Sequence, residues 1–423
     1  MKEGEAILLP GKQVLVLGNG FDLQCELKSS FDDFMQTRIV RANQIKHMLS
    51  SSNDHSLTTV SCPDGHEVCG DNLSYYLYNR GITVWDFILL GDKQQRAWYD
   101  VEACIKDWVD YSSPSASGKP HIQQMCKEFE KIGKDYWPTP EFSGNAEPAV
   151  LAYAADFYNW DGKPGSLLGI LLEELHHFEI WFAQYIYNQV SHNQHYSSCA
   201  SDLITNLAND EMPEKILDVE YSKGRYSALP GSTNILDFNY TSPVIWGWEN
   251  CPTCLNVHGL AENGNIIFGI DGTNLIPEQE CYANIVKFTK TYRIMELNST
   301  PHPSLVSPYL SSDPNSATNT IKFFGHSLAE ADYSYFQAIF DEVSLYESNT
   351  RLVFYYNMKR PDGKNVNAQA EMFEKVNHLI TTYGQTLDNK DHGKNLLHKL
   401  LLEGRLIIKQ VPLNSHEVHI GNN

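Results

Sequence analysis

The chain predicts an α/β fold: a parallel sheet whose first strand is separated from the others by a large helical insertion. Three observations carry this. Gln13-Val14-Leu15-Val16-Leu17 is a short, β-branched apolar run ending in Gly18-Asn19-Gly20, the pattern of a buried strand that feeds a tight turn. Runs of the same type return only near residue 234. Between them lie long stretches with apolar residues at three- and four-residue steps, the spacing of amphipathic helices.

Taken in order, the first strand gives way to Asp22-Leu23 and the segment Leu27 to Phe34. Trp98, Val101, Ile105 and Trp108 then repeat at helical steps, as do Leu168, Leu171, Leu172, Leu175, Phe178, Phe182 and Tyr185. Residues 51–75 and 111–121, rich in Ser, Asp, Gly and Pro, read as loops. Strands resume at Asn234–Phe238, Leu255–Gly259 and Ile266–Gly269. Residues 282–296 return to helical spacing through Ile285, Phe288, Tyr292 and Met295. Ile321–Phe324 ends at Gly325, Leu352–Tyr356 ends at Asn357, and Leu406–Ile408 closes the series. Short apolar runs separated by helices indicate a parallel sheet with helices on both faces. Residues 1–22 and 231–423 are expected to form a discontinuous core, and 23–230 a mainly helical insertion.

Composition narrows the function classes. An apolar content of 42% supports a substantial core, and 32 basic against 52 acidic residues give a formal charge of −20. A general nucleic-acid binder needs basic surface to displace counterions, so nucleic acid is not an expected partner. Anionic lipid is disfavoured for the same reason. Met1 to Pro10 lacks an apolar stretch long enough for a signal peptide. No run approaches the ~20 apolar residues of a membrane span. Nine scattered cysteines read as reduced thiols, and the expected location is cytoplasmic. Cys251-Pro252-Thr253-Cys254 with Cys62 and Cys69 has irregular spacing, so no metal is expected.

The motifs stand where such sheets hold ligands, at the carboxyl ends of strands. Glycines at 18 and 20 let backbone N–H groups approach a pyrophosphate. Asn239 offers an amide donor and acceptor for ribose hydroxyls or a water; it also suits a plain turn. His258 can serve as a general base or as a core histidine bound to a carbonyl. Asp100 and Glu102 are paired carboxylates, better read as a helix start in which acids meet the helix dipole. Asp332 suits a helix cap or a ribose contact. His176 and His177 point about 100° apart on a helix and do not make a metal pair.

Together these elements resemble sirtuins and related NAD-cleaving proteins, which share the order of glycine-rich turn, Asn-centred turn, His-Gly, Gly-Thr-Ser-Leu-like turn and a strand ending in Asn. More closely, the chain resembles the AbiH family of phage abortive-infection proteins. The matching segments are Leu17 to Leu23, Phe238-Asn239-Tyr240-Thr241, Val257-His258-Gly259, Gly325-His326-Ser327-Leu328 with Asp332, and Trp98 to Glu102. The resemblance implies a sirtuin-like Rossmann core that binds NAD or a related nucleotide. By position, Gly18, Asn19 and Gly20, with Phe21 beside them, would cradle the pyrophosphate, and Asp22 would lie near the ribose–phosphate. Asn239 would orient water or the nicotinamide ribose, and His258 would be the base. Gly325, Ser327 and Asn357 would hold the adenosine half, with His326 and Asp332 beside them. Thr241 stands where sirtuins carry an Asp, and Cys25-Glu26 stands where AbiH proteins often have His-Gly.

The implied activity is that of an antiphage effector hydrolysing an N-glycosidic bond, as an NAD glycohydrolase-like hydrolase. Two alternatives stand beside it, a non-catalytic NAD or ADP-ribose sensor and a metal-dependent nuclease. The implied partners are a small nucleotide, a phage-derived trigger and further copies of the chain.

Overall fold

In the computed structural model the described residues are 12–51, 60–61, 67–68, 80–92, 101–109, 121–132, 146–211, 233–243, 253–272, 275–297, 304–308, 317–329, 332–357 and 368–412. Chain contacts divide it into two compact units. The first holds 1–28, 189–257 and 300–423, and the second 29–188 and 258–299.

The first unit is built on six strands: β1 (Lys12–Leu17), β2 (Thr233–Asp237), β3 (Thr253–Asn256), β4 (Thr318–Phe324), β5 (Arg351–Tyr356) and β6 (Leu406–Gln410). All pairings are parallel and the order is β3-β2-β1-β4-β5-β6. Val14 to Leu17 are all buried, because a central parallel strand is covered on both faces and needs a continuous apolar run. Chain order reverses between β1 and β4, so the connections leaving these two adjacent strands run in opposite directions along the sheet.

Among the described residues five helices belong to this unit: α1 (Asn19–Gln24), α2 (Tyr196–Asn209), α3 (Tyr333–Glu342), α4 (Ala368–Thr386) and α5 (Lys390–Leu402). Along α2, Tyr196, Ala200, Leu203, Ile204, Leu207 and Ala208 share one buried stripe. It joins Leu15, Leu17, Ile235, Phe324, Val353 and Tyr355 of the sheet. Neighbouring strand residues point to opposite faces. Phe323, next to Phe324, accordingly meets Phe336 and Phe340 of α3 and stacks on Phe354 at 4.5 Å. Lys322 sends its ammonium from β4 to the carbonyls of Leu207, Ala208 and Asp210, capping the end of α2. Asn389 caps α5 by accepting from the N–H groups of Asp391 and His392.

The second unit is mainly helical. Helices run over Phe31–Ser51, Val84–Asp92, Val101–Val109, His121–Ile132, Glu147–Ala152 and Pro164–His192, the last grouping with the first unit from Gln189 on. Leu168, Leu171, Leu175, Phe178 and Phe182 are buried on the long helix, as their spacing predicts. Phe31, Phe34, Phe178, Phe182 and Phe268 form its aromatic core. Arg293 pairs bidentately with buried Glu179 at 2.7 Å.

Two sequence expectations are corrected here. Ile266–Gly269 is not a strand. Phe268 donates its N–H to Glu179, and Ile270 makes an isolated bridge to Thr289, so among the described residues these buried apolar residues pack without sheet neighbours. Residues 282–296 are not one helix but a turn of helix at Tyr282–Ile285, a 3-10 turn at Val286–Phe288 and a helix at Lys290–Leu297. The break is the extended backbone of Thr289. Trp98, Cys62, Cys69, Asp100, Cys251 and the loop expected at 111–120 lie outside the described residues.

Candidate functional site at the carboxyl edge of the sheet

The turn after β1 packs directly on the turn after β4. The N–H of Gly18 donates to Phe324 O at 3.0 Å, that of Gly20 to Gly325 O at 2.8 Å, and that of Phe21 to Gly18 O at 2.8 Å. A Cβ at Gly18 would lie 2.5 Å from His326 Cα, and one at Gly20 would lie 2.7 Å from Gly325 Cα. Only glycine permits this approach of two backbones. Gly325 adds a second reason, a φ of +76°. Within the fold these glycines serve turn-on-turn packing, and their N–H groups are used internally. Phe21 is wholly buried in the α2 core, while Asn19 is exposed.

Asp22 sits in the first turn of α1, only 1% exposed. Tyr196 of α2 donates its hydroxyl to Asp22 Oδ1 at 2.6 Å, and Thr241 Oγ1 lies 3.0 Å from both carboxylate oxygens. Burial pushes the carboxyl up to about 6, and the two hydroxyls hold back part of that rise. Thr241 is therefore the clamp of Asp22.

β2 ends in Asp237, which pairs in register with Leu17 of β1 and Asn256 of β3. It is completely buried. Its Oδ1 accepts the Asn239 N–H at 2.9 Å, and its Oδ2 has no hydrogen-bond partner among the described residues. Burial, and next the charge of Asp22, raise its carboxyl well above the usual carboxylate range. The Asn239 N–H lowers it in part, and the Asn239 side chain acts likewise from outside hydrogen-bond geometry. Asn239 is 3% exposed. Neither its Oδ1 nor its Nδ2 has a hydrogen-bond partner among the described residues. Asn256 at the end of β3 holds the backbone of this turn, donating to Asn239 O at 2.9 Å and Thr241 O at 2.7 Å.

On the β4 side of this edge His326 is locked. Its Nδ1 accepts the Leu328 N–H at 2.9 Å, so Nε2 carries the proton and faces Asp332 Oδ2 at 3.4 Å. The ring packs edge-on against Phe238 and Phe336. Asp332 stands at the cap position of α3 without a side-chain cap bond. Ser327 is exposed, and its Oγ accepts the Ala329 N–H. Asn357, following β5, donates to the Gln24 side chain.

His258 comes two residues after β3 and falls in the second unit. It is buried, and its carbonyl accepts the Ile267 N–H at 2.9 Å. Gly259 beside it has a φ of +86°, and a Cβ there would lie 2.2 Å from Asn265 O. Glu102 is paired with Lys290 at 2.7 Å in the second unit. Among the described residues, no group of three or more His, Cys, Asp or Glu side chains gathers as a metal site requires, and no helix is long and apolar enough to cross a membrane.

The fold thus joins Asp22, Asn239 and Thr241 in one edge of the first unit, and sets Gly18 and Gly20 against Gly325 and His326. Sequence reasoning missed three members of the edge: Asp237, Tyr196 and Asn256. An acid inside the apolar run Ile235-Leu236-Asp237-Phe238 was a signal for the first. Tyr196 carried none, since nothing local marks a residue that acts 174 positions away. No curated protein and no solved structure matches the chain. A family model described as bacteriophage abortive infection AbiH matches residues 14–356, most of the chain, and the protein belongs to that family.

Proposed function

We propose that the protein is an antiphage effector that binds NAD or a related nucleotide at the carboxyl edge of its sheet and hydrolyses the N-glycosidic bond. The observation that carries this reading is the Asn239 amide, buried at the end of β2 with both polar atoms unpartnered among the described residues. A buried amide left so costs about 1–3 kcal/mol. Hydroxyls of a ribose, or a water held for attack, would offset that cost. The strand order supports the same place, being that of doubly wound dinucleotide-binding sheets, whose ligands lie at the reversal point. A sirtuin-like Rossmann core is part of this proposal.

The ribose side of such a ligand fits the residues present. The pyrophosphate side does not fit the N–H groups of Gly18, Gly20 and Phe21, which donate within the protein. Phosphate binding falls instead to side chains, with Asn19 and Ser327 exposed near the paired turns. Breaking an N-glycosidic bond builds positive charge on the sugar ring. Asp22, ionised above about pH 6 and tied to the Asn239 turn through Thr241, supplies a fixed opposing charge. A second reading, a sensor without turnover, is favoured by one observation: the Thr241 hydroxyl is engaged by Asp22, so it does not replace the sirtuin Asp.

The test is mass spectrometry of NAD incubated with purified wild type and Asn239→Ala, with and without lysate of phage-infected cells. Nicotinamide release by wild type alone is expected. Release by a soluble, folded Asn239→Ala variant would overturn the role of the amide. No release under either condition, with nucleotide still raising the melting temperature, would put the sensor first.

A further inference from the structure

Asp237 is a buried acid of this edge that lies outside the sequence motifs. It ends β2, adjacent in register to the last residue of β1. Asp22 receives hydroxyls on both of its oxygens, from Tyr196 and Thr241. Asp237 receives a single N–H on Oδ1, while Oδ2 is buried without a partner among the described residues. A fully buried ionised carboxylate with a single donor among the described residues is costly, whereas a protonated one is neutral and gains a donor of its own. Of the two acids, Asp22 is therefore the one that ionises first, and burial, with the Asp22 charge next, keeps the proton on Asp237.

A second observation points to a ligand. Asn239, two residues on, is 3% exposed, and its amide oxygen and nitrogen both lack partners among the described residues. A neutral O–H donor beside an amide donor and an amide acceptor matches hydroxyl groups, each of which both donates and accepts.

We infer that Asp237 makes this edge specific for ribose over deoxyribose: its neutral carboxyl donates to a sugar hydroxyl that the Asn239 amide also engages. The inference rests on the nucleotide reading above. Asparagine at 237 keeps an acceptor for the Asn239 N–H and offers an N–H donor where the acid has its O–H. Alanine removes both.

The experiment is calorimetric binding of ADP-ribose and of its two analogues lacking the 2′-hydroxyl of one or the other ribose, to wild type, Asp237→Asn and Asp237→Ala. Wild type is expected to bind ADP-ribose about tenfold tighter than one analogue, the loss set by one unmade buried hydrogen bond. Asp237→Asn keeps that preference and Asp237→Ala abolishes it. Equal binding of all three ligands by wild type overturns the inference and leaves the nucleotide reading standing. So does a preference that survives in Asp237→Ala or is lost in Asp237→Asn. If Asp237→Ala does not fold, the wild-type and Asp237→Asn measurements still decide. Absence of any ADP-ribose binding by wild type overturns both readings.

Discussion

Tyr196 donates its hydroxyl to Asp22 Oδ1 at 2.6 Å, and this bond ties the first residue of α2 to the first turn of α1. Thr241 closes the same carboxylate from the turn after β2. Three segments distant in sequence therefore meet on one buried acid. The rest of α2 is held on the sheet by Ala200, Ile204 and Leu207, and its far end by Lys322.

Tyr196→Phe removes one of the two hydroxyls that support the charged form of Asp22. It should destabilise the protein by about 1–3 kcal/mol, more at pH 8, where Asp22 is ionised, than at pH 5. Urea denaturation at both values checks this. Equal losses would show that the hydroxyl does not serve the charge.

Asp22 binds its proton more tightly folded than unfolded, since its carboxyl rises from 3.8 to about 6. Stability from this group is greatest below about pH 4, falls as pH rises to about 6, and is level above. The shift corresponds to roughly 3 kcal/mol. Asp22→Asn should abolish that part of the slope. Glu179 of the second unit, raised to about 7 by burial, contributes a slope of the same sign. The decisive quantity is thus the difference between wild type and Asp22→Asn in thermal unfolding from pH 4 to 7.

Asn239→Ala removes an amide that makes no side-chain hydrogen bond among the described residues. It should leave stability unchanged or raise it, by up to the roughly 1–3 kcal/mol that an unpartnered buried amide costs, while removing a paired buried amide would lower it. A melting curve beside the binding assay separates a ligand-facing role from a structural one.

Gly325→Ala would place a Cβ 2.3 Å from the Phe21 nitrogen at a φ of +76°. Backbone strain and a clash with the paired turn together should cost about 3 kcal/mol or more. Gly264→Ala is the control. It has a φ of +65° with nothing within 4 Å of the added Cβ, so it should cost about 1 kcal/mol from strain alone. Similar losses at both sites would mean that close packing of the turns contributes nothing.

Much of the sheet was readable locally. Val14 to Leu17, Ile321 to Phe324 and Leu352 to Tyr355 are continuous apolar runs because both faces of a central parallel strand are covered. The same logic misread Ile266 to Gly269, where the burial comes from helix packing and not from sheet neighbours. The helical stripe of Leu168 to Phe182 was equally plain. The break at Thr289 was not, because a single extended residue leaves the apolar spacing nearly unchanged.

The sequence by itself determined the fold class, the strands that end in the motifs, and membership of AbiH, because periodicity and ordered short motifs are local properties. Only the tertiary structure decided what those motifs touch. It set Gly18 and Gly20 against Gly325, made Thr241 and Tyr196 the clamps of Asp22, and left Asp237 and Asn239 with buried polar atoms unmatched among the described residues. These are relations of burial and hydrogen bonding between residues up to 307 positions apart, as for Gly18 and Gly325, for which no local pattern stands as a signal.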